Sequence, residues 1–182
     1  ALVEIEDWNC CGASAAHQTN HLLRLALPAR TIALAAAQGM DEIFAPCAAC
    51  SNRLIAAQAE WLEDAGLRAE VERAIGMALP AARVPVRNCI EFLLPHLEKI
   101  KAAVRKPLAG KKVACYYGCL LVRPPKVLAF DDPENPASME KVAAAAGAEP
   151  VAWGFRTECC GAAFAMSSTA SVARLCERIL VN

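Results

Sequence analysis

Apolar residues recur along this chain at helical spacing, and short extended runs separate the helical stretches. Leu54, Ile55, Ala57, Trp61 and Leu62 fall on one helical stripe that Gly66 closes. Val71, Ala74, Ile75, Ala78 and Leu79 repeat the pattern. Pro28 suits the first turn of a helix ending at Gly39, because proline opens helices and glycine closes them. Asn88 is placed to cap a helix carrying Phe92, Leu93 and Leu97. Ser138 can cap another that reaches Ala146, with Gly147 just past its end. A final helix is expected from Ala162 to Leu180. The runs between read as short strands: Leu2 to Glu6, Glu42 to Pro46, Val84 to Val86, Lys112 to Tyr116 and Pro150 to Trp153.

Strands alternating with helices predict an α/β fold. The basic stretch from Lys101 to Lys112 contains Pro107 and Gly110 and reads as a linker. Strand, loop, cysteine pair and helix recur in the same order in both halves. The expectation is two pseudo-repeated modules, 1–106 and 107–182, each a small mostly parallel sheet flanked by helices. From Arg123-Pro124-Pro125 to Asn135-Pro136 the chain is turn-rich.

Charge narrows the function classes. The 182 residues carry 19 Lys and Arg against 19 Asp and Glu, so nothing electrostatic calls for nucleic acid or an anionic membrane. No apolar run is long enough to span a bilayer, and no basic segment followed by an apolar one marks an export signal. A cytoplasmic location is expected, peripheral to a membrane at most through partners.

The ten cysteines change the picture most. Cys10-Cys11-Gly12 is followed by Cys47-Ala-Ala-Cys50, and Cys159-Cys160-Gly161 appears far downstream. A disulfide framework suits small secreted domains, and this chain is larger, helix-rich and without an export signal. Thiolate ligation of a soft metal in a reducing compartment is the better reading. One tetrahedral zinc takes four ligands, usually from two separated pairs, and remains the alternative. Adjacent cysteines point in different directions and chelate one small ion poorly. They suit a larger iron–sulfur cluster, where each thiolate takes a different iron. A glycine after each pair lets backbone N–H groups approach sulfur, and amides at the helix following Cys47 would favour an anionic cluster.

These motifs resemble the cysteine-rich CCG domain family, and within it the B-type subunits of heterodisulfide reductases. Cys10, Cys11, Cys47 and Cys50 match the later four positions of a first motif. Cys119, in Tyr-Tyr-Gly-Cys, matches the opening position of a second, with Cys159 and Cys160 as its vicinal pair. Arg123-Pro124-Pro125-Lys126 and Asp131-Asp132-Pro133 resemble the loop that follows. The first opening cysteine would precede Ala1 and the second closing CxxC would follow Asn182, so a portion of a longer subunit is expected. The resemblance implies noncubane [4Fe-4S] clusters held by these seven cysteines, with Gly12 and Gly161 against the cofactor. It implies reduction or formation of a small disulfide in one-electron steps, with Cys10, Cys11, Cys119, Cys159 and Cys160 as the catalytic set. It also implies a ferredoxin-like iron–sulfur C-type subunit and a flavoprotein A-type subunit as partners. Related modules imply an alternative, electron transfer in glycolate, lactate or succinate:quinone oxidoreductase systems. A zinc-stabilised interaction domain is a second alternative.

Other residues are read more plainly. Cys89, Cys115 and Cys176 fall outside the motifs and are expected as buried small hydrophobes. His17 and His21 are spaced to share one helix face, but no acidic partner accompanies them, which favours a solvated or capping pair. Trp8 and Trp153 precede cysteine pairs and suit either a cluster contact or a core wall. Tyr117 could donate to a sulfide or a substrate. Arg123 and Lys126 could meet a substrate anion or simply be solvated.

Overall fold

Two polar side chains set where the long helices of the first half begin. In the computed structural model, which describes residues 2–181, Asn20 accepts a hydrogen bond from the Leu23 N–H at 3.0 Å. Asp64 accepts from Gly66 and Leu67 at 2.8 and 2.9 Å. Each cap satisfies N–H groups that the first helical turn leaves unpaired. The outermost residues of the expected modules, Ala1 and Asn182, lie outside the described range. The chain divides into two compact units, one running to Cys89 and the other starting at Ile90.

The first unit contains α1 (Ala13–Thr19), α2 (His21–Ala37), β1 (Ile43–Phe44), α3 (Ala48–Glu63), α4 (Ala65–Ile75) and β2 (Val86–Arg87). β1 and β2 are parallel, with Ile43 beside Val86 and Phe44 beside Arg87. A parallel pair needs a crossover, and α3 and α4 supply it. The core joins Leu25, Ala29 and Ile32 of α2 to Leu54, Ala57 and Trp61 of α3, with Val71, Ile43 and Val86. Gln58 is buried with them. It donates to the Val84 carbonyl at 3.0 Å and accepts from the Val84 N–H at 2.8 Å. That side chain pairs the backbone just before β2, where no strand partner reaches.

Three expectations are corrected in this unit. Pro28 sits inside α2 rather than at its start, because the Asn20 cap opens the helix a full two turns earlier. Interior proline costs about 3 kcal/mol, but Leu25, Pro28, Ala29 and Ile32 are buried together, and that packing holds the helix. Gly66 does not stop a helix. α3 ends at Glu63, Asp64 caps the start of α4, and Gly66 lies in the first turn of α4. Residues Leu2 to Glu6 form no strand. The Gln38 amide takes both backbone groups of Glu6, at 2.9 and 3.0 Å, where a strand neighbour would otherwise bond.

The second unit is built from α5 (Cys89–Leu93), whose first residue closes the first unit, α6 (Leu97–Ala103), β3 (Lys112–Val113), α7 (Gly118–Val122), α8 (Pro125–Leu128), α9 (Ser138–Ala145), β4 (Glu149–Pro150) and α10 (Thr169–Leu180). β3 and β4 are again parallel, with Lys112 beside Glu149 and Val113 beside Pro150. α6 packs on α9. The expected α/β architecture with two small parallel sheets is the one observed. Among the described residues, no helix is long and apolar enough to cross a membrane.

Polar contacts hold this unit where its apolar core is thin. Asp131, not Ser138, caps α9. Its carboxylate accepts from the Ala137 and Ser138 N–H groups at 3.0 and 2.8 Å. Burial pushes the Asp131 carboxyl up, but the Ser138 hydroxyl and these N–H groups outweigh it and hold it below the usual value. Glu140 on α9 is bonded to the Tyr117 hydroxyl and lies 3.6 Å from the Arg156 guanidinium. Arg156 also donates to the carbonyls of Trp153 and Pro136 at 3.2 and 3.1 Å. The expected single helix from Ala162 to Leu180 is broken into a 3-10 turn, Ala162–Phe164, and α10. The run Ser167-Ser168-Thr169 falls at the break, where short hydroxyl side chains compete with helical bonding.

Replacing Gln58 with Leu keeps the bulk but leaves both backbone groups of Val84 unpaired. Urea unfolding of Gln58→Leu is expected to show a loss of about 2–4 kcal/mol. A loss near zero would mean that the Gln58 clasp does not stabilise the first unit.

Candidate functional site

The first cysteine set is assembled by a pinned loop and a helix start. Asn9 donates to the Leu27 carbonyl at 3.0 Å and accepts from Arg30 at 3.1 Å, which ties the residue before Cys10 to α2. Cys10 is exposed and Cys11 is buried. Gly12 then takes φ of 75°, and a Cβ there would lie 2.5 Å from the Ala16 Cβ and 2.6 Å from Leu27 Cδ1. Only glycine permits that turn against α2. Cys47 is the N-cap residue of α3, and Cys50 lies in the first turn. The Cys11 and Cys50 sulfurs are 3.2 Å apart.

The helix start splits the chemistry of these thiols. The Cys50 and Ala49 N–H groups at the helix start hold the Cys47 thiol below its usual range. Burial pushes the Cys50 thiol up to about 12, helped by the Cys11 and Cys47 thiols beside it. So Cys11, Cys47 and Cys50 come together, and Cys10, next to Cys11 in the chain, is exposed.

The second set is built from a single cysteine and a later pair. Cys119 is the second residue of α7, after Gly118, and Cys159-Cys160-Gly161 follows β4. Burial pushes the Cys119 thiol up to about 11, and the neighbouring Cys159 thiol adds to the effect. Gly161 has φ of 77°, and a Cβ there would meet Leu175 Cδ1 at 2.8 Å. Its N–H donates to the Cys159 sulfur at 3.4 Å. The Tyr116 hydroxyl reaches this set. It donates to the Glu158 carbonyl at 2.7 Å, beside the Cys159-Cys160 pair. Burial first, then Cys160, pushes the phenol above its usual value.

Tyr117 goes elsewhere. It is buried, bonded to Glu140, and accepts from the Met139 N–H at 2.7 Å. The sequence offered Tyr117 as a donor to a sulfide or a substrate, and the structure turns its hydroxyl to α9 instead. The available signal was alternation: Cys115 and Tyr117 are buried on one side of the extended segment, which turns Tyr116 to the other.

The remaining candidates take structural places. Cys115 is buried, while Cys89 and Cys176 are half-buried, with the Cys176 thiol 3.5 Å from the Cys160 carbonyl. Trp8 is exposed and donates to Glu4 at 2.8 Å. Trp153 donates to the Cys115 carbonyl at 2.8 Å and packs beside the Tyr116 ring. His21 lies 3.6 Å from Glu60, whose carboxylate is already held by both terminal nitrogens of Arg24. Burial, then Arg53 and Arg24, depresses His17. Arg123 pairs with Glu134 at 2.7 Å on the surface.

The donor chemistry fits a thiophilic metal group. Each set is made of thiols alone, without imidazole or carboxylate among them. Among the described residues, no group of three His, Cys, Asp or Glu side chains is arranged to hold one metal ion. A multi-iron cluster spreads its ligands over several metal atoms and does not need such a focus.

A model of the cysteine-rich domain named CCG matches residues 1–55 and 113–180. The chain is 36% identical over 162 residues to the 8-methylmenaquinol:fumarate reductase membrane anchor subunit of Wolinella succinogenes, covering 88% of this chain and 56% of that protein. It is 32% identical over 166 residues to the B-type subunit of the Ferredoxin/F(420)H(2)-dependent CoB-CoM heterodisulfide reductase of Methanosarcina acetivorans, covering 88% of this chain and 54% of the relative. To the B-type subunit of the Ferredoxin:CoB-CoM heterodisulfide reductase of Methanosarcina mazei it is 31% identical over 160 residues, or 85% and 52% of the two chains. The chain spans about half the length of these curated relatives.

The thiols of the metal-free protein should react in a set order. Cys47 is exposed and its proton is held weakly, so a larger thiolate fraction is present at mildly alkaline pH. Cys50 and Cys119 keep their protons to about 12 and 11. Timed iodoacetamide labelling at pH 8, read by peptide mass spectrometry, is expected to modify Cys47 well before either. Cys50 labelling as fast as Cys47 would contradict this account of the helix start.

Proposed function

The chain belongs to the cysteine-rich CCG domain family, and on that premise we propose that it is the thiol-rich part of an iron–sulfur oxidoreductase subunit that reduces or forms a small disulfide. The observation that carries this reading is the two separate gatherings of thiols: Cys11, Cys47 and Cys50 in one, and Cys119 with Cys159 in the other. Cys10, Cys11, Cys47 and Cys50 would hold the first group, and Cys119, Cys159 and Cys160 the second. A noncubane [4Fe-4S] cluster, when bound, supplies single electrons and iron sites that can hold the sulfurs of a cleaved disulfide.

The protein's own share is ligation, tuning and access. Cys47 offers a thiolate at little cost because the α3 N–H groups already stabilise it. Cys50 and Cys119 must give up tightly held protons on ligation, so binding at both sets releases protons and strengthens as pH rises. Gly161 brings its N–H to the Cys159 sulfur and would offset negative charge there. Cys10, Cys47 and Cys159 are exposed, which leaves each set open to the approach of a small disulfide. The two heterodisulfide reductase relatives are named as one subunit of ferredoxin-dependent complexes, which supports partner subunits as the electron source; the family resemblance would make these an iron–sulfur and a flavin-bearing subunit.

A second reading rests on the relative from Wolinella succinogenes, whose name places it in a menaquinol:fumarate reductase. There the same thiol sets would pass electrons between a quinone and a partner subunit, with no disulfide cleaved.

The full-length protein, purified anaerobically with its partner subunits, decides between them. Supplied with two electrons and two protons, it is expected to convert each heterodisulfide into two thiols. Cys11→Ser or Cys160→Ser is expected to slow thiol release by ~100-fold or more. Reoxidation by a quinone analogue without thiol release would overturn the disulfide reading and establish the second.

A further inference from the structure

The second cysteine set has a hydrogen-bonding hydroxyl that its cysteine motif does not include. Tyr116 is half-buried, and its hydroxyl donates to the carbonyl of Glu158, the residue immediately before Cys159-Cys160. The thiols of Cys160, Cys119 and Cys159 all lie close enough to that hydroxyl to add to burial in pushing it above its usual value, Cys160 most of the three. The ring is held on two sides. A side chain at Gly118 would meet the Tyr116 hydroxyl at 3.3 Å and its ring carbons at 3.4 Å, so the phenol lies directly over the backbone leading into Cys119. Trp153 packs beside it with ring centroids 6.2 Å apart, and is itself anchored to the Cys115 carbonyl. One side chain therefore touches both chain segments that deliver this set's cysteines.

We propose that Tyr116 is a positioning residue for the second set, donating its hydroxyl hydrogen to the Cys160 sulfur when that sulfur ligates metal. The inference rests on the iron–sulfur reading of the site. A phenol has one proton to give. While Cys160 is a thiol, the Glu158 carbonyl accepts that proton and the thiol can donate to the phenol oxygen. Once Cys160 is a thiolate, it is the stronger acceptor, and a small rotation of the hydroxyl moves the bond from carbonyl to sulfur. No proton is transferred. The bond places partial positive charge against the ligand, which favours the more negative, reduced state and raises the potential. Tyr117 serves Glu140 and the α9 N-terminus instead, so the two adjacent tyrosines divide the work.

The test compares Tyr116→Phe with Tyr117→Phe in the full-length anaerobic protein, after iron and sulfide analysis of the wild type. Tyr116→Phe is expected to keep its iron and sulfide and to shift one redox couple to lower potential, leaving the other in place. The iron–sulfur stretching bands of the wild type should move in deuterated buffer, and that sensitivity should fall in Tyr116→Phe. Tyr117→Phe is expected to lower thermal stability without moving either couple. An unshifted potential in fully loaded Tyr116→Phe overturns the proposal and leaves the iron–sulfur reading standing. An equal shift in Tyr117→Phe also overturns it, since the effect would then be structural. If Tyr116→Phe does not load, 3-fluorotyrosine at position 116 replaces it. The stronger donor must raise the couple, and no change overturns the proposal. A wild type without iron and sulfide overturns the site reading and this inference together.

Discussion

Thiols held within van der Waals range of one another cannot all be anions, and this constraint shapes both halves of the protein. Cys11 and Cys50 have sulfurs 3.2 Å apart, and Cys47 joins them at the start of α3. Ionising one raises the cost of ionising the next, which adds to burial in holding the Cys50 proton to about 12. The same coupling links Cys119 to Cys159. A group of thiols arranged so that their charges conflict is poorly suited to bulk-water thiol chemistry. It is well suited to a cationic metal assembly that neutralises several thiolates at once.

The fold maintains this arrangement with unusually little regular sheet. Each unit has one parallel pair of two-residue strands, and the cysteine loops depend on side-chain ties instead. Asn9 fixes the approach to Cys10, and Gly12 turns the chain where any Cβ would collide with α2. In the second unit Arg156, Glu140 and Tyr117 join the loop before Cys159 to α9. The two sets are tuned differently. One uses amides at the start of a sixteen-residue helix. The other has only a short helix after Cys119 and gains a phenol and a glycine N–H.

Much of this was legible in the sequence because it is local. The cysteine pairs, the CxxC before a helix, the glycines after each pair and the alternation of strand and helix all depend on near neighbours. What escaped depends on partners far along the chain. Gln38 occupies the backbone of Glu6, 32 residues away, and so removes a strand that propensity favours. Asp131 reaches Ser138 across a turn-rich loop and takes the capping role that Ser138 could have filled itself. Pro28 stays inside a helix because the residues around it are buried, which no rule about proline alone reveals. Tyr116 and Tyr117 have nearly identical sequence contexts, and only the side of the segment each occupies separates core from site.

Iron and acid-labile sulfide content, measured with zinc on anaerobically purified full-length protein, tests the central claim most directly. The account predicts iron and sulfide in equal amounts, ~4 of each per loaded cysteine set, with negligible zinc. About one zinc per set with no sulfide would contradict it and leave the cysteines as structural ligands.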